Sequence, residues 1–460
     1  MAIPNDNFVL RLHEQKNSTL VDMNVLDLVV TGPAERTALV AWAYGARGSA
    51  EMAGFSVIRF DPLGNVIPDM PGKLGKFSKT LCRFKDIECG NFRLETGFLV
   101  PTPDGFIIAG TATSIFNGEQ NPIAVRVDNL GNIRWGRKYV ADVGHPSTAK
   151  ITSIVPLATP NRYFISAINS DDDTLFFQID GSGTLLDFHL FSGTHIRRMR
   201  MTTLGVLAVG EILRGGFDPA PAICAFAATD ARPLWIRWAI WEHELPEHGV
   251  RWFDIAEGES MLLVIGNVGG RFGDDSPMMA FLDKAKLPTT TDVIKTFVPT
   301  LGTDPVRLHA VVNHQDLVIP LKGGDTFSAF CVTGEVKQQP WKFVIKDDGT
   351  MLFQKKLRIP DGAKGSETPV VWASYEEIVT GGFVTTGSTP RGFIASSPVT
   401  NGRGSSTCSA ETAVILMEDH LYAEQGILGL ENVNMHMTDW SISEGRDLDL
   451  MKGCLDVQGS

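Results

Sequence analysis

Arginines carry the most suggestive chemistry in this chain. Arg197, Arg198 and Arg200, and further on Arg251 and Arg307, fall in short apolar, β-branched stretches together with Asp254 and His309. A charged side chain on a strand is costly unless it is hydrated, paired or reserved for a ligand. Guanidinium forks suit bidentate contact with carboxylates. Arg198, Arg251, Asp254, Arg307 and His309 are therefore the candidate ligand-binding residues, with Asp27, Arg197, Arg200 and His436 at similar places. Hydrated pairing between neighbouring strands is the simpler alternative.

Other chemistry-bearing patterns point less far. Asp171, Asp172 and Asp173, and likewise Asp274 and Asp275, cluster carboxylates of the kind that hold Ca²⁺, although hydrated turns use the same residues. His243-Glu244-Leu245-Pro246-Glu247-His248 places its histidines five apart around a proline, whereas a zinc helix needs them four apart on one face. Six scattered cysteines form no C-x-x-C pair and read as isolated thiols. No nucleophile elbow or phosphate-binding loop occurs in strand-turn-helix context, so no catalytic residue is assigned. Trp135, Trp235, Trp238 and Trp341 suit sugar stacking, but their fourth-strand or late third-strand placement is better explained by packing between sheets.

The elements that position these residues are strands. Glycine makes up 46 of 460 residues, hydrophobic residues 43% and charged residues 20%, with a net charge of −12. This profile excludes disorder and collagen, and the acidic balance argues against nucleic acid, which needs a basic stripe. Lys73, Lys76, Lys79, Arg83 and Lys85 read as a solvated basic loop. The amino-terminal residues carry no secretory pattern and no apolar run is long enough to span a membrane, so a cytoplasmic chain or part of a released particle is expected, without membrane insertion.

Apolar runs of five to eight residues, bounded by Gly, Pro, Asn or Asp, recur from end to end, which predicts an all-β chain. The clearest unit has strands at 95–100, 106–110, 123–128 and 133–139, with turns at Pro103-Asp104-Gly105 and Asn129-Leu130-Gly131-Asn132. Second strands are predicted around Leu39–Trp42, Phe106–Ala109, Tyr163–Ser166, Val206–Val209, Leu262–Ile265, Leu317–Ile319 and Ile378–Gly381. Third strands end on Asp61, Asp128, Asp180, Asp230, Asp283, Asp347 and Glu418, at intervals of 50 to 71 residues. An acid there pre-forms the following turn by accepting backbone N–H bonds.

Four-stranded units at this period predict a single β-propeller domain over residues 1–460. Phe8–Glu14 and Ser18–Met23 look like strands three and four without predecessors. Val433–Met437 and Leu448–Cys454 look like strands one and two without successors. Eight blades follow, the last closed by amino- and carboxy-terminal strands, with seven as the alternative. The stretch from Gly392 to Ser409 reads as a long variable loop.

Asp128-x-x-Gly131-Asn132-x-x-Trp135-x-x-x-Tyr139 resembles the repeat of bacterial propellers of the broad quinoprotein-like (PQQ-like) superfamily, in which an outer-strand tryptophan docks on the next blade. The resemblance implies a fold far more than an activity. Quinone-dependent dehydrogenases of that superfamily carry adjacent cysteines, which this chain lacks. The function expected is a non-catalytic scaffold offering rim loops and channel face to a protein partner or larger assembly. The alternative is a carbohydrate-binding or carbohydrate-cleaving propeller with a glycan partner.

Overall fold

The computed structural model describes residues 9–13, 21–44, 52–82, 92–143, 145–146, 149–212, 220–241, 248–269, 276–287, 294–300, 305–313, 328–357, 359, 361–374, 377–386, 389–398, 409–411, 415–426, 434–439, 441–444 and 449–452. All of the described secondary structure is β, in five antiparallel sheets.

After β1 (Val9–His13) come seven consecutive units. Unit one holds β2 (Val21–Gly32), β3 (Glu35–Tyr44), β4 (Met52–Phe60) and β5 (Lys76–Cys82). Unit two holds β6 (Phe92–Thr102), β7 (Gly105–Ser114), β8 (Gln120–Asp128) and β9 (Ile133–Val143), to which the short β10 (His145–Pro146) adds. Unit three is β11 (Lys150–Pro156), β12 (Arg162–Ile168), β13 (Thr174–Asp180) and β14 (Leu185–Phe191). Unit four is β15 (Thr194–Thr202), β16 (Gly205–Ile212), β17 (Ala220–Phe226) and β18 (Pro233–Trp241). Unit five is β19 (His248–Glu257), β20 (Met261–Gly269), β21 (Ser276–Asp283) and β22 (Ile294–Thr300). Unit six is β23 (Val306–Asn313), β24 (Ala329–Val336), β25 (Gln339–Lys346) and β26 (Met351–Leu357). Unit seven has β27 (Lys364–Ser374), β28 (Glu377–Thr386) and β29 (Thr389–Pro398), and its fourth strand is β1, in the register Leu10 to Ile394.

The remaining strands lie on the outside of these units. β30 (Ser409–Glu411) pairs with β26, and β31 (Ile415–Gly426) runs between β18 and β22. β32 (Asn434–Asp439) pairs with β9, β33 (Ser441–Glu444) with β5, and β34 (Asp449–Lys452) with β1. The carboxy-terminal stretch thus visits units six, five, four, two and one in descending order and ends on unit seven.

These registers correct the sequence reading of the termini. Val21–Met23 begins the first strand of unit one rather than ending a fourth strand, and Val9–His13 contributes the fourth strand of unit seven, not a third one. The two carboxy-terminal strands do not form the inner half of an eighth unit, because β32 and β34 pair with outer edges. Glu418 lies inside β31 opposite Phe297, so it ends no third strand. In unit six the second strand is β24; Leu317–Ile319 falls outside the described residues. Gly392 to Pro398 belongs to β29, where Phe393, Ile394 and Ala395 are buried. Lys76 and Lys79 sit within β5, and Lys79 is buried, so these two belong to a strand and not to a solvated loop; Arg83 and Lys85 fall outside the described residues.

The hydrophobic core is divided among the contacts between units. Leu39, Phe55 and Val57 of unit one pack with Leu94, Phe106 and Val125 of unit two. Matching clusters join units two and three, three and four, four and five, five and six, and six and seven. A further cluster joins unit seven to unit one through Val379 and Ile394 against Val25, Val40 and Trp42. Middle strands are therefore covered on both faces, which is why they read as continuous apolar runs such as Leu175-Phe176-Phe177 rather than as alternation. First strands touch in the order β2, β6, β11, β15, β19, β23 and β27, and β27 touches β2.

The acidic turns explain the regularity of the third-to-fourth connection. Asp128 Oδ1 accepts from the Leu130 and Asn132 N–H groups at 2.9 and 2.8 Å, and Asp61 and Asp180 repeat the pattern. In unit six Asp348 rather than Asp347 takes this role, accepting from Thr350 N. Gly183, at φ 78°, completes the turn after Asp180. Trp135 Nε1 donates to Gly181 O at 2.9 Å and Tyr139 Oη to Gly183 O at 2.9 Å, docking unit two on that turn of unit three.

Candidate functional site

A β-bulge sets two residues opposite one and re-aims the extra residue out of the ladder. Each of the seven first strands carries one at the same level. The register steps from Val25 to Asp27, Leu94 to Thr96, Ile151 to Ser153, Ile196 to Arg198, Trp252 to Asp254, Leu308 to Ala310 and Glu367 to Val370. The residues stepped over are Leu26, Glu95, Thr152, Arg197, Phe253, His309 and the pair Thr368-Pro369. All of them line one cavity of about 310 Å³.

Side chains next to the bulges fix this wall. Asp254 is buried, and its Oδ1 accepts from Ile255 N at 2.9 Å while Oδ2 accepts from Val311 N of the next unit at 3.1 Å. Arg200 donates to the same carboxylate through Nε at 3.3 Å and Nη2 at 3.0 Å. Asp27 makes the equivalent link, accepting from Leu28 N at 3.0 Å and from Leu99 N of unit two at 2.7 Å. Burial pushes the Asp27 carboxyl up, against the opposing pull of Arg198 and the two N–H groups. Ser153 does the same work with a hydroxyl, accepting from Met199 N at 3.0 Å.

Arg198 is held differently. Its Nε lies 3.7 Å from Asp254 Oδ1, and its guanidinium carbon sits 4.9 Å from the centre of the Phe98 ring. Burial, with Arg200 as a like-charged neighbour, pushes its pKa down, while Asp254 and Asp27 oppose the change. For Arg200, burial acts downward too, but the direct pair with Asp254 outweighs it and the pKa rises.

A second cluster lies beside the cavity. Glu211, buried on β16, meets His195 Nδ1 at 3.1 Å, Arg197 Nη2 at 2.7 Å and Arg251 Nε at 3.2 Å. Burial would raise the Glu211 pKa, but the bond with His195 and the charges of Arg197 and Arg251 outweigh it and hold the carboxyl low. Arg197 also lies over Phe253, at 5.5 Å from the ring centre.

Of the candidates read from sequence, Arg198, Asp254 and His309 come together on the cavity wall. Arg251 and Arg307 stand outside it, half exposed, paired with Glu211 at 3.2 Å and Glu335 at 3.4 Å. His309 Nε2 lies 3.8 Å from the far oxygen of Glu335. His436 is on β32, opposite Val140 of an outer strand. Asp171, Asp172 and Asp173 form a loop tied by Asn169 Oδ1, which accepts from the Asp171 and Asp173 N–H groups; Asp173 Oδ1 in turn accepts from Gly193 N. Asp274 and Asp275 lie outside the described residues, as do residues 242–247 of the histidine-rich stretch. Among the described residues no group of three His, Cys, Asp or Glu side chains is arranged to hold a metal. Trp341 is buried and Trp135 is bonded into the next unit, so both are packing residues.

Four buried polar atoms on the cavity wall have no hydrogen-bond partner in the protein: Asn24 Oδ1, Arg197 Nε, Arg198 Nε and His309 Nε2. A buried polar atom left this way costs about 1–3 kcal/mol. The wall is thus polar beyond what the fold uses, with Phe98, Phe253 and Phe383 as apolar surface between the charges. No protein-family model matches this sequence, and comparison with curated proteins finds no significantly similar chain.

Sequence reasoning missed Asn24, Glu95, Thr96, Phe98, Thr152 and Phe253. The available signal was a pair of adjacent residues that interrupts the alternation of a first strand, as in Glu95-Thr96, Thr152-Ser153 and Arg197-Arg198.

Proposed function

We propose that the chain is a seven-bladed β-propeller acting as a binding scaffold for a protein partner, with the seven-bulge ring as the centre of its recognition face. Seven four-stranded units with cyclic contact between first strands support the architecture, which agrees with the fold implied by the quinoprotein-like resemblance. The observation that carries the function is the contrast within the ring. One backbone device recurs seven times, yet the side chains it presents are Leu, Glu, Thr, Arg, Phe, His and Thr-Pro. A ring serving closure alone has no need of seven different chemistries, whereas a recognition surface has.

The geometry favours binding over catalysis. Both Asp254 oxygens are committed to Arg200 and to backbone N–H groups, and Glu95 is bonded to Thr113 and Gln120. Neither is a free acid-base pair facing a substrate.

The test is capture of partners from extract of the source cells by the purified protein, compared with a variant carrying F253A and H309L. A stable complex that survives washing with wild type and is lost with the variant, at unchanged melting temperature, is expected. A glycan array is run on the same two proteins. Glycan binding that depends on the same residues would replace the protein-scaffold reading with the carbohydrate one, and capture that ignores the ring would overturn the recognition face.

A further inference from the structure

We infer that the central cavity is a binding site for a carboxylate monoanion with a small apolar body, held by Arg198 with help from Arg197 and His309. The inference rests on the ring as a recognition surface and not on the identity of any protein partner.

The donors come first. Arg198 and Arg197 each present a buried Nε that bonds to nothing in the protein, and His309 adds a ring nitrogen in the same state. Arg198 is braced by Phe98 under its guanidinium plane and by Asp254, 3.7 Å from its Nε, so the guanidinium is fixed while no hydrogen bond to that Nε is made. A guanidinium edge matches the two oxygens of a carboxylate.

Charge limits the ligand. The wall carries the guanidiniums of Arg197, Arg198 and Arg200 against the carboxylates of Glu95 and Asp254, a surplus of one positive charge. Asp27 stands behind Arg198 and Glu211 behind Arg197. The surplus is thus confined to the wall itself, because Asp27 and Glu211 offset it together with Arg251; one added negative charge balances the wall, and a second finds no further cation to meet it. Phe98, Phe253, Val370 and Phe383 then offer apolar surface to the body of the ligand, within a volume of about 310 Å³.

A free acid and the terminal carboxylate of a partner chain share this chemistry. The probes are therefore benzoate, benzamide, inorganic phosphate and an acetylated tripeptide ending in phenylalanine, titrated by calorimetry into the full-length protein. Saturable binding of benzoate or of the peptide is expected, weakened at least tenfold in R198Q and unchanged in R307Q. Benzoate without peptide identifies a free acid as the source, and peptide without benzoate identifies a chain terminus. Binding of neither, equal binding of benzamide, tighter binding of phosphate, or full affinity in R198Q would overturn the site. If R198Q does not fold, the Arg198 Nε–H resonance of wild type decides: a shift on adding benzoate or peptide supports the site, and no shift rejects it. Loss of partner capture with carboxylate binding intact would remove the scaffold reading alone.

Discussion

Two arginine–carboxylate pairs in this molecule are built for opposite ends. Arg36 joins unit one to unit seven: its Nε donates to Glu377 Oε2 at 3.0 Å, its Nη1 donates to Pro33 O at 3.1 Å, and its side chain is 1% exposed. Arg198 faces Asp254 across 3.7 Å, keeps an unbonded Nε and borders a cavity. The first pair is saturated by its surroundings, as a charge must be where water is excluded. The second is left short of partners on a wall otherwise fixed by Asp254, Asp27 and Ser153. The difference separates contacts that close the fold from contacts that the fold holds open.

The comparison breaks most easily at Arg36. R36Q leaves Glu377 buried without its cation, and loss of one partner of a buried pair costs about 3–5 kcal/mol. The expected result is a large fall in the urea midpoint and melting temperature. A loss below about 1 kcal/mol would mean that the contact between units seven and one is wetter than its geometry implies.

Gly183 tests a second contact between units. A Cβ there would approach Trp135 to 2.9 Å, and the backbone stands at φ 78°. G183A therefore combines a strained conformation with a displaced tryptophan, for an expected loss of about 1–3 kcal/mol. The diagnostic is a matching change in tryptophan fluorescence in the native state. A stability loss with an unchanged emission spectrum would place the strain in the turn alone.

What was legible in the sequence follows the same division. Strands buried on both faces announce themselves as unbroken apolar runs, and acidic turns such as Asp128 to Asn132 announce themselves because one carboxylate serves two backbone donors two and four residues on. Pairing partners of terminal strands were not legible, since a five-residue strand such as Val9–His13 says nothing about which edge it completes. Glu418 misled because an acid inside an apolar run looks the same whether it ends a strand or pairs within one. At the site, Arg251 and Arg307 share with Arg198 and His309 a place in short apolar stretches, which does not distinguish residues at the cavity from residues beyond it. Arg251 and Arg307 each precede a bulged residue by two positions, and one strand repeat of about 7 Å carries them off the cavity wall. The bulge itself is a change of phase whose trace in the sequence is no more than a pair of adjacent residues such as Glu95-Thr96, and the register shows which residue is stepped over.

Arg198 sharpens the comparison from the other side. R198Q removes a largely buried charge that has no full partner, so its cost is expected to stay below about 1 kcal/mol, several-fold less than that of R36Q. Chemical denaturation of both variants in one buffer makes the measurement. A loss equal to that of R36Q would show that Arg198 holds the ring together, and the cavity would then be structural.

The smallest effect concerns the turns. Burial opposes ionisation of Asp180, but bonds from Ser182 and Thr184, both side chain and backbone, outweigh it and hold the carboxyl below the usual aspartate range. A depressed folded-state pKa adds stability that is present above the unfolded value, near 3.9, and lost as pH falls through the folded one. In D180N the amide oxygen keeps the acceptor position of Oδ1 but lacks the charge, so about 0.5–1 kcal/mol is expected to disappear at pH 7. The gap between wild type and D180N should narrow as pH drops below 4, because the wild-type side chain becomes neutral as well. Urea midpoints at pH 7, 5 and 3 measure it. A gap that is constant across that range would assign the turn to hydrogen-bond geometry with no contribution from charge.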